Sequence, residues 1–174
     1  MKAIVAILSF SFLAIGAAGC ASVTTVLNND APFDEKLKNL GGIVKEFLEG
    51  PHGTREEAIK KYGYKGSGVF MEIEDTSLVP NSASPGQTIQ ATVTYVLLSP
   101  APPEKVKIIE SRTLVGPVDS LLLSQRDVVR DQGSQSSSIK FTLPVDIAKG
   151  EYTLITSISD GSQTKVARST LQVV

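Results

Sequence analysis

Two spacings of apolar residues divide the chain. Between positions 33 and 48, Phe33, Leu37, Leu40, Val44 and Phe47 recur at helical intervals, joined by Ile43 and Leu48, and this spacing predicts an amphipathic helix. Pro32 suits a first helical turn, Asp34 and Glu35 complement its dipole, and Gly50-Pro51 ends it. Gly41 and Gly42 each weaken the middle by about 1 kcal/mol relative to alanine, so a bend or split is expected there. A second, shorter helix is predicted over "TREEAIKKYG", where Thr54 and Glu57 form a capping-box pair and Gly63 supplies the stop. Glu56 with Lys60 and Glu57 with Lys61 have the spacing of favourable helical ion pairs. "YKGSG" (64–68) has the composition of a hinge. Residues 33–68 thus read as a helical arm and hinge.

From residue 69 the period changes from helical to alternating. Val69, Met71 and Ile73 fall on one face of "VFMEIED", and Ile89, Ala91, Val93, Tyr95 and Leu97 do the same in "TIQATVTYVLL". "KVKII" continues the series. "SIKFTL" points Ile139, Phe141 and Leu143 one way, and "EYTLITSI" aligns Tyr152, Leu154, Thr156 and Ile158. "KVARSTLQVV" alternates more loosely, and "SLLLSQRDVV" suits a strand or a short helix and is assigned as strand. The intervening "PNSASPGQ", "SPAPPE", "DQGSQSS" and "SDGSQ" carry turn chemistry, Asp160-Gly161 marking a tight hairpin. Short half-buried strands at such intervals predict a β-sandwich over residues 69–174.

The first twenty residues are of another kind. Lys2 is followed by 17 residues, Ala3 to Gly19, without a charged side chain, and then by Cys20, the sole cysteine. A charged start, an apolar run and small residues before a cut form the pattern of a secretory signal. A spanning helix needs about 20 apolar residues, and this run contains serines and glycines with no basic cluster after it. Ala17 and Gly19 also suit ordinary signal peptidase; either cleavage falls between Gly19 and Cys20. Ala17-Ala18-Gly19-Cys20 resembles the lipobox of bacterial lipoproteins, although leucine is usual where Ala17 stands. The resemblance implies a lipid-bearing Cys20 as first mature residue, attachment to membrane lipid, and a place in the bacterial cell envelope. By analogy with enterobacterial sorting, the absence of aspartate after Cys20 points to the outer membrane. Two acyl chains already anchor a protein stably. Residues 20–32 then form the lipidated cysteine and its tether.

Removing residues 1–19 leaves 155 residues, with 16 basic and 18 acidic side chains. That balance lacks the basic stripe of a nucleic-acid binder, so nucleic acid is excluded as a main partner. With one cysteine no bridge can close within the chain, and the core must rest on packing.

Residues 69–174 also resemble the bacterial immunoglobulin-like and fibronectin-like domains of exported proteins, on "SASPGQTIQATVTYVL" and "FTLPVDIAKGEYTLITSISDG". The resemblance implies a mainly β fold, an immunoglobulin-like antiparallel β-sandwich preceded by a short α-helical arm. Tyr152 stands where a tyrosine corner would, its hydroxyl bonding upstream backbone.

Reactive chemistry is sparse. His52 is the only histidine and has no company of metal-ligand spacing; no G-x-S-x-G elbow occurs. No catalytic residue, metal or cofactor is expected, and the chain reads as a non-enzyme. Glu72, Glu74 and Asp75 suit a solvated strand face better than a calcium site. Lys105, Lys107, Arg112, Arg126 and Arg130 read as ordinary surface charge, interspersed with acids. The face from Phe33 through Leu37, Leu40 and Val44 to Phe47 either docks on the sandwich or binds a partner. The expected role is a membrane-anchored envelope lipoprotein serving as a non-catalytic protein-interaction or structural module, with an envelope protein as partner. The alternative is a small-ligand or glycan binder assisting an envelope enzyme, which requires Tyr62, Tyr64 and Tyr95 to come together.

Overall fold

Alternation of apolar and polar residues gives each strand one face to bury, and two sheets stacked on those faces satisfy all of them. The computed structural model describes residues 44–100, 105–118 and 120–174. In chain order the elements are β1 (Val44–Gly53), α1 (Arg55–Tyr62), β2 (Phe70–Val79), β3 (Ser82–Ala83), β4 (Thr88–Leu98), β5 (Val106–Val115), β6 (Ser120–Arg130), β7 (Gly133–Thr142), β8 (Gly150–Ser159) and β9 (Thr164–Val173). One sheet runs β1-β7-β4-β2, the other β3-β9-β8-β5-β6. Neighbours are antiparallel except β3 and β9.

This order is that of an immunoglobulin-like sandwich. β2, β4 and β7 take the places of strands A, B and E, and β9, β8 and β5 those of G, F and C, with β6 beside C. The place next to E, which strand D holds in the constant-type domain, is filled by β1 although β1 precedes all the others in the chain. The expected strands formed, including the ambiguous 120–130 segment. Their inward residues are buried as the alternation requires: Ile89, Ala91, Val93, Tyr95 and Leu97 on β4, Ile139 and Phe141 on β7, Tyr152, Leu154, Thr156 and Ile158 on β8.

The first helix is corrected in its described part. Val44 and Phe47 lie on a strand, β1 pairing with β7 from Val44↔Phe141 to Gly53↔Ser134 with irregularities at residues 45 and 52. Short apolar runs fit both periods, and here the unpaired edge of β7 decides, because its N–H and C=O groups find partners along β1. Pro51 is tolerated since β1 is an edge strand. The sandwich therefore takes in residues that the spacing assigned to an arm. Cys20, Gly19, Phe33, Leu37 and Leu40 lie outside the described residues.

The second helix forms as its capping box predicts. Thr54 Oγ1 accepts from Glu57 N at 3.2 Å, Glu57 Oε2 accepts from Thr54 N at 2.9 Å, and Gly63 closes the helix in the left-handed region. It is no free arm. Ala58 packs with Val96 and Leu98 on the outer face of β4, joined by Ile59, Tyr62, Tyr64 and Phe70. This explains why "YVLL" is apolar at every position: both faces of that end of β4 are covered. Arg55 Nε donates to Gln132 Oε1 at 2.8 Å, fixing the helix start to the loop before β7. Glu74, one residue into a β2 irregularity, accepts from Lys61 Nζ and Tyr62 Oη, each at 2.9 Å, and from Ser134 Oγ. The carboxylate read as solvated is in fact a clasp on the helix.

Tyr152 makes the expected corner, donating its hydroxyl to Ala148 O at 2.9 Å. Gly116 lies flat against the ring; a Cβ there would sit 2.1 Å from Tyr152. At Gly133 φ is +114° and a Cβ would meet Gly53 O at 2.6 Å, so the first residue of β7 must be glycine for β1 and α1 to approach. Gly133→Ala is expected to lose at least about 2 kcal/mol of stability, since strain and backbone collision add. Gly66→Ala, at φ +78° with open space around it, is expected to lose only about 1 kcal/mol. Denaturant unfolding of both variants measures the difference.

Candidate functional site

β5 reads "VKIIESRTLV", and its inward positions are Val106, Ile108, Glu110, Arg112 and Leu114. Two opposite charges thus stand in the middle of an apolar face, both only 1% exposed. Val106 and Ile108 belong to one apolar cluster with Met71, Val93, Leu97 and Ile158, and Leu114 to another with Ile89, Phe141, Leu154 and Leu171. A polar layer of Glu110, Arg112, Ser137 and Thr156 separates the two.

A buried carboxylate is stable only when its lone pairs are filled. Glu110 Oε1 accepts from Tyr95 Oη on β4 and from Arg130 Nη2 at 2.9 Å and Nε at 3.3 Å on β6. Oε2 accepts from Ser137 Oγ on β7 at 2.8 Å and Arg126 Nη2 on β6 at 3.2 Å, with Arg112 Nη1 at 3.7 Å. Arg112 Nη2 crosses to the other sheet, donating to Ser137 O and Ser137 Oγ, each at 3.0 Å. The network reaches β1 through Glu49, which accepts from Arg130 Nη1 at 2.6 Å and from Arg126 Nη2. Phe47 lies under the Arg126 guanidinium, 4.0 Å from ring centroid to Cζ, a cation–π contact. Five strands from both sheets meet here.

Burial pushes the Glu110 carboxyl upward, but hydrogen bonds from Tyr95, Ser137 and Arg130 and the charge of Arg112 outweigh it and hold the group below the usual range. Burial, then the Glu110 charge, raises the Tyr95 phenol. The hydrogen bond from Arg130, seconded by Arg126, holds Glu49 at about 2 against the opposing effect of burial. A carboxylate kept ionised with both oxygens engaged is the reverse of a general acid poised near neutrality. What this arrangement can do is hold two sheets and an edge strand in one register.

A shallow cleft of about 190 Å³ lies beside the start of α1, lined by His52, Glu57, Lys61, Glu74 and Ser134 among others. It is smaller than an ordinary ligand pocket. A serine, a histidine and acids share this wall, yet Ser134 gives its hydroxyl to Glu74. His52 is exposed and has no hydrogen-bond or ion-pair partner among the described residues. No group of three or more His, Cys, Asp or Glu suited to a metal occurs among the described residues.

The tyrosine platform does not assemble. Tyr62 and Tyr64 flank Phe70 on the outer sheet face, with ring centroids 5.1 and 6.3 Å from it, whereas Tyr95 is sealed between the sheets. The basic residues read as one solvated set also divide. Lys105 and Lys107 are exposed, while Arg112, Arg126 and Arg130 face inward around Glu110. The signal was present in β5: Glu110 and Arg112 are in phase with Val106, Ile108 and Leu114, and period 2 alone places them on the buried face. Glu49 could not have been found this way, because its partners lie 77 and 81 residues away.

Removing one partner of a buried charge network leaves the others uncompensated, so Glu110→Ala is expected to cost about 3–5 kcal/mol, measured by denaturant unfolding. For Glu49 the folded pKa lies below the free value of 4.5, so the ionised form is the stabilising one. Its contribution is full above that value and is lost as pH falls through about 2. Glu49→Gln is expected to be less stable than the parent by about 2 kcal/mol at neutral pH, the half-exposed setting reducing the effect. The gap should narrow below pH 4.5, read from unfolding curves across the acid range.

No protein-family model matches this chain, and no curated protein does. Solved structures similar to it include the CARDB domain of a Pyrococcus furiosus protein crystallised with di-metal ions, at 13% identity and TM-score 0.45, covering 64% of this chain and 91% of that one. A Niemann-Pick type C2 protein from Japanese carpenter ant is similar at 5% identity and TM-score 0.44, covering 64% and 98%. An alkylpurine DNA glycosylase from Pseudomonas fluorescens is similar at 15% identity and TM-score 0.45, covering 67% and 34%. Likeness of this degree says nothing about activity.

Proposed function

We propose that the chain is a bacterial envelope lipoprotein, cut before Cys20, acylated on that cysteine, and attached to the outer membrane with its sandwich serving as a non-catalytic protein-interaction or structural module. The observation that carries the reading is Ala17-Ala18-Gly19-Cys20 at the end of 17 uncharged residues, with no other cysteine in the chain. The fold is compatible with it. The groups capable of acid–base work, Glu110, Tyr95 and Glu74, are all engaged in holding strands and helix together.

The recognition surface best supported is the β1 edge and its surroundings. Among the described residues β1 pairs only with β7, and Phe47 and Leu48 are 41% and 42% exposed. An edge strand with apolar side chains offers main-chain and side-chain contacts together. Membrane fractionation of the native host with palmitate labelling tests the anchor: the parent is expected in the membrane fraction carrying label, and Cys20→Ser is expected to lose both. A Cys20→Ser protein that remains labelled and membrane-bound would overturn the reading. Crosslinking from residue 48 in the native envelope is expected to trap a defined protein neighbour.

A further inference from the structure

The network around Glu110 does not balance. Arg112, Arg126 and Arg130 bring three positive charges, and Glu110 and Glu49 bring two negative ones. Among the described residues the nearest other acids on these strands face away: Glu46 pairs with Lys140 on the outer face of the β1–β7 sheet, and Asp127 is exposed between inward Arg126 and Val128. One positive charge is left over in a network whose inner members, Glu110 and Arg112, are 1% exposed and whose outer members, Arg126 and Glu49, are 26% and 28% exposed. Burial draws the Arg112 guanidinium below its ordinary value, with the Glu110 charge opposing it and the smaller effect of Arg126 adding to it.

Hydrogen bonding shows the same surplus at the same spot. Arg112 Nη1, Arg126 Nε and Ser124 Oγ are buried and have no hydrogen-bond acceptor or donor among the described residues. They are neighbours. Arg112 and Ser124 face each other directly across β5 and β6, and Glu110 faces Arg126 one step along the same inward face. The two guanidinium groups touch a common atom, Glu110 Oε2, at 3.7 Å from Arg112 Nη1 and 3.2 Å from Arg126 Nη2. Ser124 is 8% exposed and Arg112 1%. Two N–H groups that can only donate and one hydroxyl able to donate thus belong to adjoining register positions of β5 and β6, beside the unmatched positive charge.

From this we infer that the sandwich binds one small monovalent anion of halide size between Arg112, Ser124 and Arg126, as a structural ligand that completes the polar layer. A chloride accepts from all three donors and cancels the residual charge. A water accepts at most two hydrogen bonds and cancels none of it. The surplus of a single charge favours a monovalent ion over phosphate or sulfate. The occupant acts on the fold, since it shares Arg126 with Glu49 and so supports the docking of β1.

Thermal unfolding of the full chain in detergent, in sodium chloride or sodium bromide against sodium gluconate at equal ionic strength, tests this. The expected result is a rise of several degrees in the halide salts that saturates with concentration, as binding to the folded state alone requires. Ser124→Ala removes one donor that holds no partner among the described residues, so it is expected to melt within a degree or two of the parent in gluconate while the halide midpoint moves several-fold higher. Crystals of the full chain soaked in bromide are expected to show an anomalous peak within hydrogen-bond distance of Arg112 Nη1. Equal melting temperatures in halide and gluconate, or an identical halide response in Ser124→Ala, would overturn the inference, as would a bromide-soaked crystal with a water and no anomalous signal there.

Discussion

The carboxylate of Glu110 is the point on which the two sheets agree. It accepts from β4, β6 and β7 at once, and each donor stands on a strand whose register is set by its own ladder. An ionised group at 1% exposure is tolerable only with every partner in place. A slip of one residue in β5 would turn Glu110 and Arg112 outward, and the apolar Val106, Ile108 and Leu114 with them. The apolar clusters on either side supply most of the burial energy, at about 1.5–3 kcal/mol for each large side chain fully enclosed. They do not by themselves choose one stacking of the sheets over a near neighbour, because apolar contact is non-directional. The polar layer between them is directional and selects one.

β1 depends on this layer more than any other strand. Its described side chains from Glu46 to Glu49 are all exposed, so little burial of its own retains it. It is held by the ladder with β7, by Arg126 and Arg130 on Glu49, and by Phe47 under Arg126. The chain then turns into α1 where Gly133 allows backbone to approach backbone, and Arg55 and Glu74 fasten the helix. The segment that leads from the N-terminal region is in this way built into the sandwich, in the place strand D occupies elsewhere. Under the proposed anchor, the tether would enter the body through its most weakly buried strand.

Local chemistry was readable wherever a rule acts within a few residues. The capping box at Thr54 and Glu57, the stop at Gly63, the tyrosine corner at Tyr152 and the turn at Asp160-Gly161 all involve partners no more than four or five positions apart, and all formed as their patterns require. Alternation placed Ile89 to Leu97 and Tyr152 to Ile158 on inward faces, since period 2 is a property of the strand itself. The same rule, applied to β5, puts Glu110 and Arg112 inside. Arg112, expected as surface charge, and Glu74, expected on a solvated face, are both held by partners on other elements.

The sequence by itself determined that the body is β-rich, which residues of each strand face the interior, where the short helix begins and ends, and that the N-terminal stretch has the form of an export signal. Only the tertiary structure decided that residues 44–53 are a strand, because "VKEFLE" fits either period and the choice rests on the unpaired edge of β7, almost a hundred residues on. It also decided which charges meet: Glu49 finds Arg126 and Arg130, and Arg112 finds Ser137, across gaps that no local spacing encodes. Periodicity is set within a strand. Pairing of edges and of buried charges is set by which strands the chain brings side by side.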